Sequence, residues 1–127
     1  DGGVPLKKLT GGIANWERSQ AAALMDQWLK GYSGEIELVL CNNDDMALGA
    51  IDSIERNGIL PGSIKVVGID GTPAGKEALR NGKLFGMVEC IREDYAREIF
   101  DLAEGLIMGT LNNHEKYSWC PQSALVN

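Results

Sequence analysis

Apolar and polar positions follow two rhythms along this chain. In WERSQAAALMDQWLKGY, residues 16–32, the residues Ala21, Leu24, Met25, Trp28 and Leu29 recur at the i, i+3, i+4, i+7, i+8 spacing of one helix face, with Arg18, Asp26 and Lys30 off it. That spacing predicts an amphipathic helix, closed by Gly31 and Gly34. IELVLC is a short unbroken run of Leu and β-branched residues, the composition of a strand buried on both faces of a sheet. A second helix is expected over about residues 45–57, apolar at Ala47, Ala50, Ile51 and Ile54 and stopped by Gly58. IKVVGID repeats the strand rhythm, TPAGKEALRNG gives a short helix, and LFGMVECI a third buried strand. REDYAREIFDLAEGLIMGT carries Tyr95, Ile99, Leu102, Ala103 and Leu106 on one stripe of a long helix.

Two further segments complete the pattern. VPLKKLTGG reads as an opening strand, and KYSWCPQSALVN as an extended tail in which Pro121 favours an edge or a connection over a central strand. The order is then β-α-β-α-β-α-β-α-β. Strands alternating with helices across Gly, Pro and Asn turns predict an α/β fold with an open, doubly wound parallel sheet and flanking helices.

The totals narrow the function without naming it. A chain of 127 residues, 44% hydrophobic, has the size and core of one domain. Twelve basic against eighteen acidic side chains leave a net charge of −6, which repels phosphate backbones and anionic lipid, so neither nucleic acid nor a membrane surface is an expected partner. No stretch approaches the roughly 20 apolar residues of a membrane span, and DGGVPLKKL lacks the apolar centre of a signal peptide. Opening on DGGVP and closing on ALVN, the chain reads as a processed product or a piece of a longer protein. The cysteines Cys41, Cys90 and Cys120 have no metal spacing and lie in or beside apolar runs, so they read as small buried hydrophobes. His114 lies in the polar loop LNNHEKY with no Cys or Ser motif around it, and no G-x-x-x-x-G-K phosphate loop occurs. The expectation is binding without catalysis.

In open α/β sheets, ligands sit outside the carboxyl ends of the strands, so the polar residues there are the candidates. Asn42, Asn43, Asp44 and Asp45 follow IELVLC, Asp70 and Thr72 follow IKVVGI, and Asn15, Trp16 and Glu17 precede the first helix. Asp44 or Asp45 is expected to cap the second helix, and Thr72, before Pro73, the third. Asn43 and Asp70 lie nearer the strand ends than a cap would, and Trp16 stands among polar neighbours before its helix turns apolar at Ala21. An indole beside planar amide and carboxylate groups suits a sugar, whose C–H faces stack on the ring while its hydroxyls meet donors and acceptors.

With these residues in hand, the chain resembles the periplasmic sugar-binding proteins of ABC transporters, of the galactose/glucose- and ribose-binding type, also called type I periplasmic binding proteins. The pieces that carry the resemblance are IANWERSQAAALMDQWL, IELVLCNNDDMALGAIDSI, IKVVGIDGTPAGKEALRNGKLFG and the long helix after them, together about residues 5–121. The resemblance implies a two-lobed protein that closes on one monosaccharide and hands it to a membrane permease, located in the periplasm or otherwise outside the cytoplasm, as a lipoprotein where there is no outer membrane. Residues 1–127 correspond to the C-terminal portion only. It places Trp16 at the stacking aromatic, Asn43 at the hydroxyl-binding amide and Asp70 at the hydroxyl-binding carboxylate. A further amide-type contact falls on Cys90, a departure from the family pattern. Trp rather than Phe at position 16 leans toward hexoses such as galactose or glucose, and GIDGTPAG toward ribose. Glu37 falls where galactose-type members place a calcium-binding carboxylate, but the loop with the other ligands would precede this chain, so no metal and no cofactor is expected.

The helix at 92–109 would bury its stripe against the other lobe. Alone, it is expected to dock in an unusual place or to pair with a second copy as a homodimer. Two alternatives keep the same outline. The effector-binding domain of a LacI-type transcription regulator shares both motifs but needs a DNA-binding head. A phosphoacceptor receiver domain would match length and acidity, but it keeps its acidic pair after the first strand and a Lys after the fifth.

Overall fold

The computed structural model describes residues 5–110 and 122–126. Its elements are α1 (Arg18–Gly31), β1 (Leu38–Leu40), α2 (Asp44–Arg56), β2 (Lys65–Asp70), α3 (Pro73–Arg80), β3 (Gly86–Cys90), α4 (Arg92–Met108) and β4 (Gln122–Val126). The strands form one sheet in the order β1-β2-β3-β4. β1 and β2 run parallel in register Val39↔Val66, β2 and β3 parallel in register Gly68↔Met87, and β4 returns antiparallel along β3 with Leu125 opposite Met87. The fold is therefore α/β, a mostly parallel sheet with flanking helices, as the pattern predicts.

The core lies on the helix-covered face of the sheet. Val39, Val66 and Met87 pack with Ala47, Leu48, Ile51 and Ile54 of α2, Ala78 of α3 and Met25 of α1. The strand alternation that puts these residues inward turns Leu38 and Leu40 outward, and Leu40 is 69% exposed. IELVLC is thus not buried on both faces as its composition led us to expect. VPLKKLTGG is a second correction, because residues 5–12 form no strand. A strand needs a neighbour for its backbone N–H and C=O groups, and the edge of β1 away from β2 carries no described strand. β4 occupies the edge position expected of the tail; Pro121, Cys120 and His114 lie outside the described residues.

The helix boundaries follow local chemistry. Thr72 caps α3, its hydroxyl accepting from the Gly75 N–H at 3.0 Å, with Pro73 in the first turn as expected. Gly109, at φ +66°, ends α4 in the left-handed conformation that glycine adopts without steric cost. Along α4, Tyr95, Ile99, Phe100, Leu102 and Leu106 remain exposed, and Gly105 is its buried residue. No described helix is long and apolar enough to cross a membrane.

α1 and α2 lie in close contact, and two polar clusters stitch their outer sides. Arg18 donates two hydrogen bonds to the Asp52 carboxylate at 2.7 and 2.8 Å. Asp26 accepts from the Ser53 hydroxyl, Arg56 and Asn57. The Ser53 and Arg56 hydrogen bonds hold Asp26, and the Arg18 hydrogen bond holds Asp52, below the usual carboxylate range. What these groups add to stability is complete above that range and is lost as pH falls through their own, lower titrations.

Close approach at this contact depends on Gly49. A Cβ built there would stand 2.1 Å from the Arg18 carbonyl oxygen. In Gly49→Ala the helices must separate, at a cost of about 1–3 kcal/mol against at most about 1 kcal/mol of regained helix propensity. The expected result is a thermal midpoint lower by several degrees in a circular dichroism melt. A midpoint equal to that of the parent would mean the two backbones are not this close.

Candidate ligand site at the strand ends

The carboxyl ends of β1 and β2 carry the candidate residues, and short local structures aim them. Ahead of α1 the backbone turns left-handed twice, at Asn15 (φ +48°) and Trp16 (φ +60°). The turn is closed by the Glu17 N–H on the Ala14 carbonyl at 2.8 Å. It lifts the Trp16 ring away from the core, so that the residue is 69% exposed. The Trp16 carbonyl accepts from the Asn43 side-chain amide at 3.3 Å, tying the α1 turn to the start of α2.

Asn43 is itself the N-cap of α2, its Oδ1 accepting from the Met46 N–H at 2.9 Å. This corrects the expectation that Asp44 or Asp45 would cap the helix and that Asn43 stood too near the strand to do so. β1 ends at Leu40, so two residues suffice to bring the extended backbone to the cap position. An amide with two N–H groups and two lone pairs keeps capacity beyond these two bonds.

Asp44 is displaced to the first turn, fully buried, where its Oδ2 accepts from the Thr72 N–H at 2.7 Å and the Thr72 hydroxyl at 2.9 Å. Asp70 ends β2 at φ +119°, half-buried, and its carboxylate lies close enough to the Asp44 backbone N–H for that dipole to favour its charged form. The Trp16 backbone and Asn43 are thus directly bonded, and Asp70 neighbours the same first turn of α2 through Asp44. Among the described residues, the non-glycine positions with positive φ are Asn15, Trp16 and Asp70, all on this rim.

Cys90 ends β3 next to the Asp70 strand and is half-buried with a free thiol. Cys41 is likewise free and half-buried, and burial pushes its thiol up to about 11. Two charged residues at the rim were not foreseen. Glu89 stands opposite Asp70 in the sheet register and pairs with Lys76 of α3, and Arg92, opening α4, counters the Asp70 charge. The signal for Glu89 was present in the sequence: a lone acid interrupts the apolar run LFGMVECI. An open groove of about 560 Å³ on the outer side of α1 and α2 includes Arg18, Asp26, Asp52 and Arg56, whose charges are already paired with one another. No group of three or more His, Cys, Asp or Glu side chains among the described residues is placed to hold a metal, and Glu37 is exposed.

An exposed indole ahead of α1, and an amide and a carboxylate after β1 and β2, stand on the side of the sheet where open α/β folds place their ligands. The chain belongs to the periplasmic binding protein domain family, whose profile matches residues 4–111. It is 35% identical over 81 residues to the xylitol-binding protein of Mycolicibacterium smegmatis, covering 64% of this chain and 23% of that one. To the D-ribose/D-allose-binding protein of Pseudomonas aeruginosa it is 30% identical over 114 residues, 90% of this chain and 34% of the relative. Its fold matches a solved ABC transporter solute-binding protein from Bacillus halodurans with bound myo-inositol at a TM-score of 0.78 and 33% identity, over 94% of this chain and 40% of that one. The chain thus spans about a quarter to two fifths of the proteins it is similar to. Family membership displaces the receiver-domain alternative, and these relatives give the LacI-type alternative no support.

Burial, then the Asp44 and Asp45 charges, raise the Asp70 carboxyl above the ordinary value, with the Asp44 N–H and Arg92 opposing. Ionising Asp70 therefore costs more in the folded chain than in the unfolded one. That penalty is absent below the ordinary carboxylate value and grows as pH rises through it. Asp70→Asn is expected to raise the thermal midpoint at neutral pH, with the gain vanishing near pH ~3. A midpoint unchanged or lowered at neutral pH would contradict this placement of the charge.

Proposed function

We propose that this chain is the C-terminal portion of a two-lobed sugar-binding protein that holds a monosaccharide without changing it chemically. The bound sugar is passed to the permease of an ABC transporter, outside the cytoplasm. The observation that carries the reading is the exposed Trp16 ring, raised on a strained turn whose backbone carbonyl is bonded to Asn43, with Asp70 beside the same first turn of α2. A large apolar ring held in solvent at a cost in backbone strain has a use beyond the core.

In this reading the indole stacks on the C–H face of the sugar, Asp70 accepts from two hydroxyls, and the remaining N–H and lone pair of Asn43 bind another. Cys90, at the end of the neighbouring strand, forms the site's edge. Hexose is favoured by the indole at position 16. Relatives named for binding ribose, D-galactose and xylitol span pentose, hexose and polyol ligands. The exposed stripe of α4 packs on the other lobe in the longer protein, and in the 127-residue chain alone it joins two copies.

Isothermal titration of the full-length protein with D-galactose, D-glucose, D-ribose, D-allose, xylitol and myo-inositol is expected to show binding to at least one. Trp16→Ala should weaken the tightest of these by about tenfold, a stacking contribution of about 1 kcal/mol or more. Asp70→Ala should weaken it by about ten- to a hundredfold, as for hydrogen bonds to a charged group. No binding across the panel, or full affinity in both variants, would overturn the site. For the 127-residue chain alone, sedimentation should show a concentration-dependent dimer; a strict monomer would overturn the pairing.

A further inference from the structure

Asp44 is the buried acid that neither capping nor the proposed sugar contacts explain. Asn43 already caps α2 and Thr72 already caps α3, so the Asp44 carboxylate is needed for neither helix start. It nevertheless occupies a made-to-measure slot. A Cβ at Gly68 would stand 2.5 Å from its Oδ1, and one at Gly75 would stand 2.3 Å from its Oδ2. Both positions are bare where the carboxylate lies.

The arrangement is not optimised for stability. Oδ1 is buried without a hydrogen-bond partner, an unrecovered desolvation cost, and the charge itself repels Asp70. What the residue does is grip the 70–72 turn: its Oδ2 accepts from the Thr72 N–H and hydroxyl, and its backbone N–H dipole favours the Asp70 carboxylate. Just before Thr72 stand the two positive-φ residues of the turn, Asp70 at +119° and Gly71 at +76°.

We infer that Asp44 is a positioning residue: it fixes the strained β2–α3 turn so that the Asp70 carboxylate is set for its ligand before the ligand arrives. This rests on the reading of Asp70 as a ligand-binding group. Preorganisation by a buried hydrogen-bonded neighbour is what an accurately aimed binding group requires. The amide of Asn at position 44 can still accept from Thr72, whereas Ala cannot.

The test is a double-mutant cycle by isothermal titration, in the full-length protein, with the tightest binder of the sugar panel. Asp44→Ala is expected to weaken binding by about tenfold or more in the parent and by less than about twofold in an Asp70→Ala background, with Asp44→Asn restoring affinity to within about threefold. If Asp44→Ala does not fold, Thr72→Val carries the same cycle, with an expected loss of about threefold that also disappears without Asp70. Effects that multiply independently, or an Asn variant as weak as Ala, would overturn the positioning role while leaving Asp70 in the site. Affinity unchanged by Asp70→Ala, or no sugar bound at all, would overturn the site reading and this inference with it.

Discussion

The Asp44 carboxylate lies between Gly68 and Gly75 with two Thr72 donors on its Oδ2, and three elements meet on that group. A carboxylate taken out of water costs several kcal/mol unless it is hydrogen-bonded, so these donors are a condition of the packing. They lock the end of β2 and the start of α3 against the first turn of α2. The glycines at 68 and 75 follow from sterics. In a strand and a helix respectively, each sacrifices local propensity, about 1 kcal/mol in the helical case.

From that lock outward, the strain of the backbone is unevenly spread. Left-handed or otherwise positive φ at a non-glycine residue costs about 1–3 kcal/mol, and among the described residues it occurs at Asn15, Trp16 and Asp70. All three lie around the N-terminus of α2, where Asn43 bonds the Trp16 carbonyl and the Asp44 N–H dipole favours the Asp70 carboxylate. The core beneath is ordinary: aliphatic side chains of β1, β2 and β3 against α2, with α1 brought close by a glycine contact. A regular core under a strained rim suits the proposed site.

The apolar surface left in solvent tells a complementary story. Leu38 and Leu40 on the sheet, and Ile99, Phe100, Leu106, Ile107 and Met108 along α4, are exposed. Patches of this kind mark surfaces built for a partner. They fit the proposal of one lobe within a longer protein, and they fit a chain that spans only 23% and 34% of two of its relatives.

How much of this was written in the sequence depends on how local each cause is. Helix periodicity, β-branched runs and the Thr72-Pro73 cap act within a few residues, so the order of α1–α4, the strands β1 to β3 and an α/β fold could be read directly. The two motifs around Asn43 and Asp70 also pointed to the rim and to the family. Long-range causes could not be read. VPLKKLTGG has strand composition but no described strand to pair with, and whether β4 runs parallel or antiparallel is a matter of chain path. Asp44 looked like a cap because acids suit helix starts. Only the fold brings Thr72, 28 residues away, to its carboxylate and so leaves the capping to Asn43. Sequence fixes what each segment can bury and where it can turn, because those energies are local. Tertiary structure decides which polar groups face one another, because burying a charge is tolerable only where distant donors converge on it.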